Sequence, residues 1–216
     1  MNRTFRPLLQ HSRLLLRPAL AIRSLSSSSS SSSSPTKQPP TYYQLFPTTL
    51  PYGPPPRGSF DLDPRALRQE FFKLQQLTHP DVISDPSLKR RAEAGSAYLN
   101  HAYSTLLSPL LRAQYILRLR GVDVEDETMR LDDEGLLMEV LAAREEIEET
   151  ETETGLVPLR TVNDARIGES LRRLERAFAE DDLGMAKAET VKLRYWVNIR
   201  ESLDAWEKGK PVVLVH

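Results

Sequence analysis

A chain of 216 residues, 39% hydrophobic and 27% charged, has room for one medium domain or two small ones plus a tail. No window approaches the roughly 18 consecutive apolar residues of a membrane-spanning helix, so no stable membrane association is expected. Cysteine is absent, which excludes a disulfide framework, a thiol nucleophile and any cysteine-ligated zinc or cluster held by this chain alone.

The formal net charge of −1 hides an asymmetry. Residues 1–40 carry Arg3, Arg6, Arg13, Arg17, Arg23 and Lys37 and no carboxylate; the first acid is Asp61. Setting those six cations aside leaves 23 basic against 30 acidic residues, a net −7. That balance argues against a nucleic-acid partner, whose binding surfaces concentrate positive charge.

In chain order, residues 1–40 are rich in arginine and serine, with Leu8, Leu9, Leu14, Leu15, Leu16, Leu20 and Ile22 interspersed. This pattern reads as a mitochondrial presequence and points to the mitochondrial matrix. Arg13 and Arg17 interrupt what a secretory signal would keep as a clean apolar core. The serine run 26–34 has no means of burying apolar surface and is expected to be disordered.

Residues 42–46 are bounded by Pro47, Pro51 and Pro54-Pro55-Pro56, which leaves room only for a brief helix or turn before a stiff loop. Asp61-Leu62-Asp63-Pro64 then places a carboxylate at a helix N-cap and proline at the first helical position. Leu67, Phe71, Leu74 and Leu77 or Thr78 follow at helical spacing. His79-Pro80-Asp81 ends that helix, because Pro80 disfavours the α conformation at His79 and brings no amide hydrogen. A second long helix, from 86 or 87 to 107, mixes small Ala94, Ala97 and Ala102 with Tyr98 and Tyr103. Residues 62–107 thus describe two antiparallel helices with His79-Pro80-Asp81 at the loop tip. A third stretch, 110–120, follows Ser108-Pro109 and stops at Gly121.

The second half is also helical. Segments 132–150, 162–182 and 184–208 have helix-compatible patterns, with loops expected at 154–158 and near Gly184. Ile167, Leu171, Leu174 and Phe178 form a clean stripe. Three helices with short connections predict an antiparallel bundle. Val212-Val213-Leu214-Val215 is strand-like but reads as tail. The expected architecture is all-α: a helical hairpin region at 41–120, a linker at 121–131, a three-helix bundle at 132–208 and a tail at 209–216.

A helix, then His-Pro-Asp, then a helix bearing Asn100, Ala102, Tyr103 and Leu106 resembles a J domain. The run Ser108-Pro109-Leu110-Leu111-Arg112-Ala113-Gln114-Tyr115-Ile116-Leu117 resembles the junction of the HscB/Jac-type mitochondrial co-chaperones of iron–sulfur cluster biogenesis. Leu136-Leu137-Met138-Glu139-Val140-Leu141 with Arg144-Glu145-Glu146-Ile147 looks like the first C-terminal helix of that family, and Lys192-Leu193-Arg194-Tyr195 like its last. The resemblance implies that His79, Pro80 and Asp81 contact a mitochondrial DnaK-type chaperone and stimulate its ATPase. It also implies that an IscU-type iron–sulfur scaffold is the second partner. No cofactor, nucleotide, cluster or zinc is expected on the chain itself.

The residues support that division. On a helix, Leu136, Val140, Ala143 and Ile147 share one face, the expected core stripe. Leu137, Met138 and Leu141 point away from it, fringed by Glu134, Glu145 and Glu148, and an exposed apolar cluster marks a partner site. The plainer alternative is a helix between two layers with both faces in the core. Tyr195 lies on a stripe with Ala188, Val191 and Ile199, which favours core. The family resemblance assigns it to the scaffold-binding patch with Leu137, Met138 and Leu141.

Two further readings stay open. Val82 after the motif, where many J domains have lysine, leaves Arg65, Arg68 and Lys73, with Lys89, Arg90 and Arg91, to steer toward an acidic chaperone surface. The alternative is a J protein for another mitochondrial client, such as one at the import motor, in which the apolar patch would not bind a scaffold. A helical enzyme would pair His79 with Asp81 as acid and base, yet His11, His101 and His216 supply no third group. Hence no enzyme is expected.

Overall fold

The computed structural model describes residues 39–78, 86–123 and 134–207. The presequence, the His79-Pro80-Asp81 tip, most of the 121–131 linker and the 212–215 tail lie outside the described residues. All regular structure among the described residues is helical.

Helix α1 is Tyr42–Leu45, entered through Thr41, whose N–H donates to Gln44 Oε1 at 2.8 Å. Its brevity follows from Pro47, which the helix cannot cross. It serves to bury Tyr43 and Phe46. Helix α2 is Pro64–Thr78. Its start is fixed as the sequence reads: Asp63 Oδ1 accepts the Arg65 N–H at 2.8 Å, and Pro64 opens the first turn without needing a donor. Helix α3 is Pro86–Leu107, and Leu67, Leu99, Ala102 and Leu106 form the buried seam it shares with α2. One expectation is corrected here. Of the two residues offered to continue the spacing of Leu67, Phe71 and Leu74, Leu77 is 82% exposed and so does not extend the packed stripe.

Helix α4 is Pro109–Leu119, capped by Ser108, whose side chain accepts the Leu111 N–H at 3.4 Å. It stops at Gly121, whose φ of +73° is a left-handed conformation that glycine adopts without a Cβ clash. The Val122 N–H then returns to the Leu117 carbonyl at 2.9 Å. Ala113, Ile116 and Leu117 are buried because α4 packs against α3 on one side and the last helix on the other.

Helices α5 (Glu134–Glu149), α6 (Leu156–Ala179) and α7 (Leu183–Asp204) contact one another pairwise as a three-helix bundle. The expected loop through Pro158 is corrected: α6 begins at Leu156, directly after a 3₁₀ turn at Glu153–Gly155. Pro158 stands in the first turn, where amide hydrogens have no intrahelical acceptor and proline costs nothing. Between α6 and α7 the chain turns at Asp181, which takes φ +58°, and Asp182 caps α7 by accepting the Met185 N–H at 2.9 Å. Helix α7 is buried on several faces, with Ala186, Val191, Leu193, Trp196, Ile199 and Leu203 inside, because α4, α5 and α6 surround it. Its buried Thr190 and Ser202 satisfy their hydroxyls on the carbonyls of Ala186 and Asn198.

Candidate functional site

Two surfaces carry the residues singled out by the sequence. The first is the α2–α3 hairpin. Its tip, with His79, Pro80 and Asp81, lies outside the described residues, but the two helices that lead into it are described. Phe71 of α2 stacks on Tyr103 of α3 at 4.1 Å between centroids and 15° between planes. Gln75 donates to Asn100 across the same seam. Arg65, Arg68, Lys73, Lys89, Arg90 and Arg91 are all exposed. Such side chains act on a partner's approach rather than on the fold. Phe72 and Leu77 stand exposed beside the α2 cations, an apolar contribution to this surface that the core-stripe reading missed.

The second surface is on α5. Leu136, Val140 and Ile147 are buried and Ala143 is half-buried, so the expected core stripe faces inward. Leu137, Met138 and Leu141 are 42%, 68% and 51% exposed. Thus α5 is not sandwiched between two layers. One arc builds the bundle and the other holds three large apolar side chains in water, surrounded by exposed Glu134, Glu145 and Glu148. Apolar area left in water in this way is a reserve of burial free energy that the described part of the fold does not use.

Tyr195 is placed differently from those three. It lies on α7, which packs against α5, and is half-buried against the core beside buried Val191 and Ile199. The periodicity argument therefore describes its ring.

A third set of residues, which the sequence reading did not mark, joins the hairpin end of the chain to the bundle. Arg112 is 4% exposed; it donates to the Leu106 carbonyl at 2.7 Å and lies 4.8 Å from the centroid of Phe60. Phe60 in turn stacks on Phe178 of α6 at 5.1 Å. Burial pushes the Arg112 guanidinium below its ordinary value, with neighbouring Tyr43 and Asp61 acting against that shift. Nearby, Arg120 grips Asp181 through two bonds of 2.7 and 2.9 Å. The available signal was an arginine on the buried arc of α4, immediately before Ala113 and one turn before Ile116.

The proline-rich loop before α2 is pinned by Glu70. Its carboxylate accepts the Thr48 and Thr49 amides at 2.9 and 2.7 Å. Burial acts to raise its pKa, but the hydrogen bonds from Thr48 and Thr49 outweigh burial and hold the carboxyl below its ordinary value.

Among the described residues, no group of three or more His, Cys, Asp or Glu side chains converges as a metal site. No helix among them is long and apolar enough to cross a membrane.

Comparison with known proteins gives this arrangement its context. Residues 132–204, which span all three bundle helices, match the family model described as the HSCB C-terminal oligomerisation domain. The mitochondrial J-type co-chaperone JAC1 of Saccharomyces cerevisiae is 33% identical over 181 residues, covering 82% of this chain and 94% of the yeast protein. The human iron-sulfur cluster co-chaperone protein HscB is 33% identical over 147 residues, 67% of this chain and 63% of the human protein. A solved structure of the Saccharomyces cerevisiae Jac1 co-chaperone superposes with a TM-score of 0.66 at 31% identity, covering 80% of this chain and 100% of that one. The yeast sequence is matched over nearly its whole length, and the solved structure superposes over its full length: the chain belongs to the HscB/Jac1 family of J-type co-chaperones.

Proposed function

We propose that this chain is a mitochondrial co-chaperone of iron–sulfur cluster biogenesis that couples two partners. Leu137, Met138 and Leu141, with Tyr195 supporting them from α7, hold an IscU-type scaffold protein. The His79-Pro80-Asp81 loop engages a DnaK-type chaperone and stimulates its ATPase, so that the scaffold is delivered as client. The observation that carries the reading is the exposed α5 arc, three large apolar side chains held in water on a helix whose other arc is core. The names of the yeast and human relatives, one mitochondrial and one of iron–sulfur clusters, support both location and process.

In this reading the protein performs no chemistry of its own. Asp81 offers an acceptor to a partner arginine, where paired charge-assisted bonds are strong and directional. Pro80 limits the loop's freedom and so reduces the ordering cost of docking. The presequence reading of residues 1–40 places the working protein in the matrix.

Steady-state ATPase of the chaperone, measured with this protein and the scaffold separately and together, tests the coupling. Synergy is expected: the pair should stimulate more than the sum of the two alone. Replacing Leu137, Met138 and Leu141 by alanine together should abolish the synergy while leaving the scaffold-independent stimulation intact. Unchanged scaffold affinity in that variant would overturn the assignment of the face.

A further inference from the structure

We infer that the outer arc of α6 is a self-association face, on which a second copy of this chain lays its own α6 antiparallel. Val157, Pro158, Thr161, Val162 and Ala165 are all exposed and stand on one side of the helix. Val157 and Val162 are 58% and 51% exposed. No charged residue interrupts that arc over the first three turns. Arg160, Asp164 and Arg166 lie off it and are paired with Asp204, Arg200 and Glu139. A solvated helix face ordinarily carries charge, and an uncharged arc with two exposed valines gains from being covered.

Charge identifies the occupant. Beyond the arc, toward the C-terminal end of α6, Arg172, Arg173 and Arg176 are exposed. The first two share the carboxylate of Glu169 at 2.6 and 2.9 Å, and Arg176 pairs with no carboxylate among the described residues. A cationic surplus remains there even with Glu175 alongside. Before the arc, Glu149, Glu151 and Glu153 are exposed and pair with no cation among the described residues. The face is thus acidic at one end, basic at the other and uncharged between. A parallel neighbour would set like charge against like. An antiparallel copy sets each basic end against the other's acidic end, twice over, as a two-fold axis requires.

The spacing fits that axis. From Val162, Arg172 and Arg176 lie about 15 and 21 Å along the helix, and Glu153 lies about 14 Å the other way. Gly168 adds a second mark. It stands inside α6, where glycine weakens a helix, and a Cβ there would meet only the end of the Arg172 side chain at 3.6 Å. The packing of the described residues does not call for glycine at that position, whereas a helix laid across it comes closer to a residue without a side chain. The family description matched by residues 132–204 names oligomerisation without assigning a face. The α6 arc uses none of Leu137, Met138 or Leu141, so it stands apart from the partners proposed above.

Sedimentation velocity of the full chain over a concentration series tests the inference. A reversible monomer–dimer equilibrium is expected, with Kd roughly in the micromolar to sub-millimolar range for so small a face. Added salt should weaken it. Val162→Glu brings like charges together at the two-fold axis and should weaken association by roughly tenfold or more.

Charge reversal gives the sharper readout and does not depend on the behaviour of Val162→Glu. Glu151→Lys with Glu153→Lys makes both ends basic, and Arg172→Glu with Arg176→Glu makes both ends acidic. Each double variant alone should dimerise less than wild type, and an equimolar mixture should recover association as a heterodimer. All the substituted positions are exposed, so far-UV circular dichroism should stay as in wild type. Protein that remains monomeric up to about 1 mM overturns the inference. So does association that survives Val162→Glu in a folded chain, and so does a mixture that associates no better than either double variant alone.

Discussion

The two arcs of α5 carry the same kind of side chain and have opposite fates. Leu136, Val140 and Ile147 are sealed against α6 and α7, whereas Leu137, Met138 and Leu141 stand in solvent. Nothing in residue type separates leucine 136 from leucine 137. The difference lies in which neighbours the fold supplies on each side of the helix. A buried apolar side chain contributes to folding, and an exposed one keeps its burial free energy for an encounter with another molecule.

That contrast can be broken or sharpened by measurement, and the largest effect belongs to the inward arc. Ile147→Ala should cost about 2–5 kcal/mol of unfolding free energy, read by chemical denaturation, because it leaves a cavity in a sealed core. A loss well under 1 kcal/mol would show that the inward arc is softer than its burial implies.

Removing the buried charge at the joint comes next. Arg112→Ala should cost roughly 2–3 kcal/mol, since it strips the Leu106 carbonyl of its donor and the Phe60 ring of its cation. Wild-type stability in that variant would remove the joint from any role in folding.

Glu70 supplies a pH-dependent effect of about 1–3 kcal/mol, measured as the stability lost in Glu70→Gln at neutral pH. Its folded pKa lies below the ordinary carboxylate value, so its stabilisation is present above the unfolded pKa. It is lost as pH falls through the folded pKa. The stability difference between wild type and Glu70→Gln should therefore shrink on acidification, and a gap that widens would contradict the sign.

On the outward arc the ranking inverts. Leu141→Ala should change stability by no more than about 0.5 kcal/mol yet weaken scaffold binding by roughly tenfold or more. A large stability loss there would collapse the distinction between the arcs. The smallest effect is expected at Tyr43, whose buried hydroxyl has no hydrogen-bond partner among the described residues. Tyr43→Phe should be neutral or slightly stabilising in the same denaturation assay, because it removes a desolvated polar atom rather than a bond.

Local chemistry made much of this legible in the sequence. Asp63-Pro64, Ser108-Pro109 and Gly121 mark helix ends that the structure places within a residue or two, because caps and breakers act on their own backbone. The division of α5 was legible too, since 3.6-residue spacing fixes which side chains share a face before any partner is known. Pro158 misled because proline's cost depends on its position: inside a helix it breaks, in the first turn it is tolerated. Leu77 misled because spacing alone offered both it and Thr78, and Leu77 faces solvent.

By itself, then, the sequence determined most helix limits, the faces of the helices and the tripeptide by which the chain resembles J domains, all of which depend on neighbours along the chain. Tertiary structure decided which faces are covered. It set Tyr195 against the core and brought Arg112, Phe60 and Phe178 together across distant helices. Those outcomes depend on residues far apart in the chain, and a helical period carries no information about what stands opposite it.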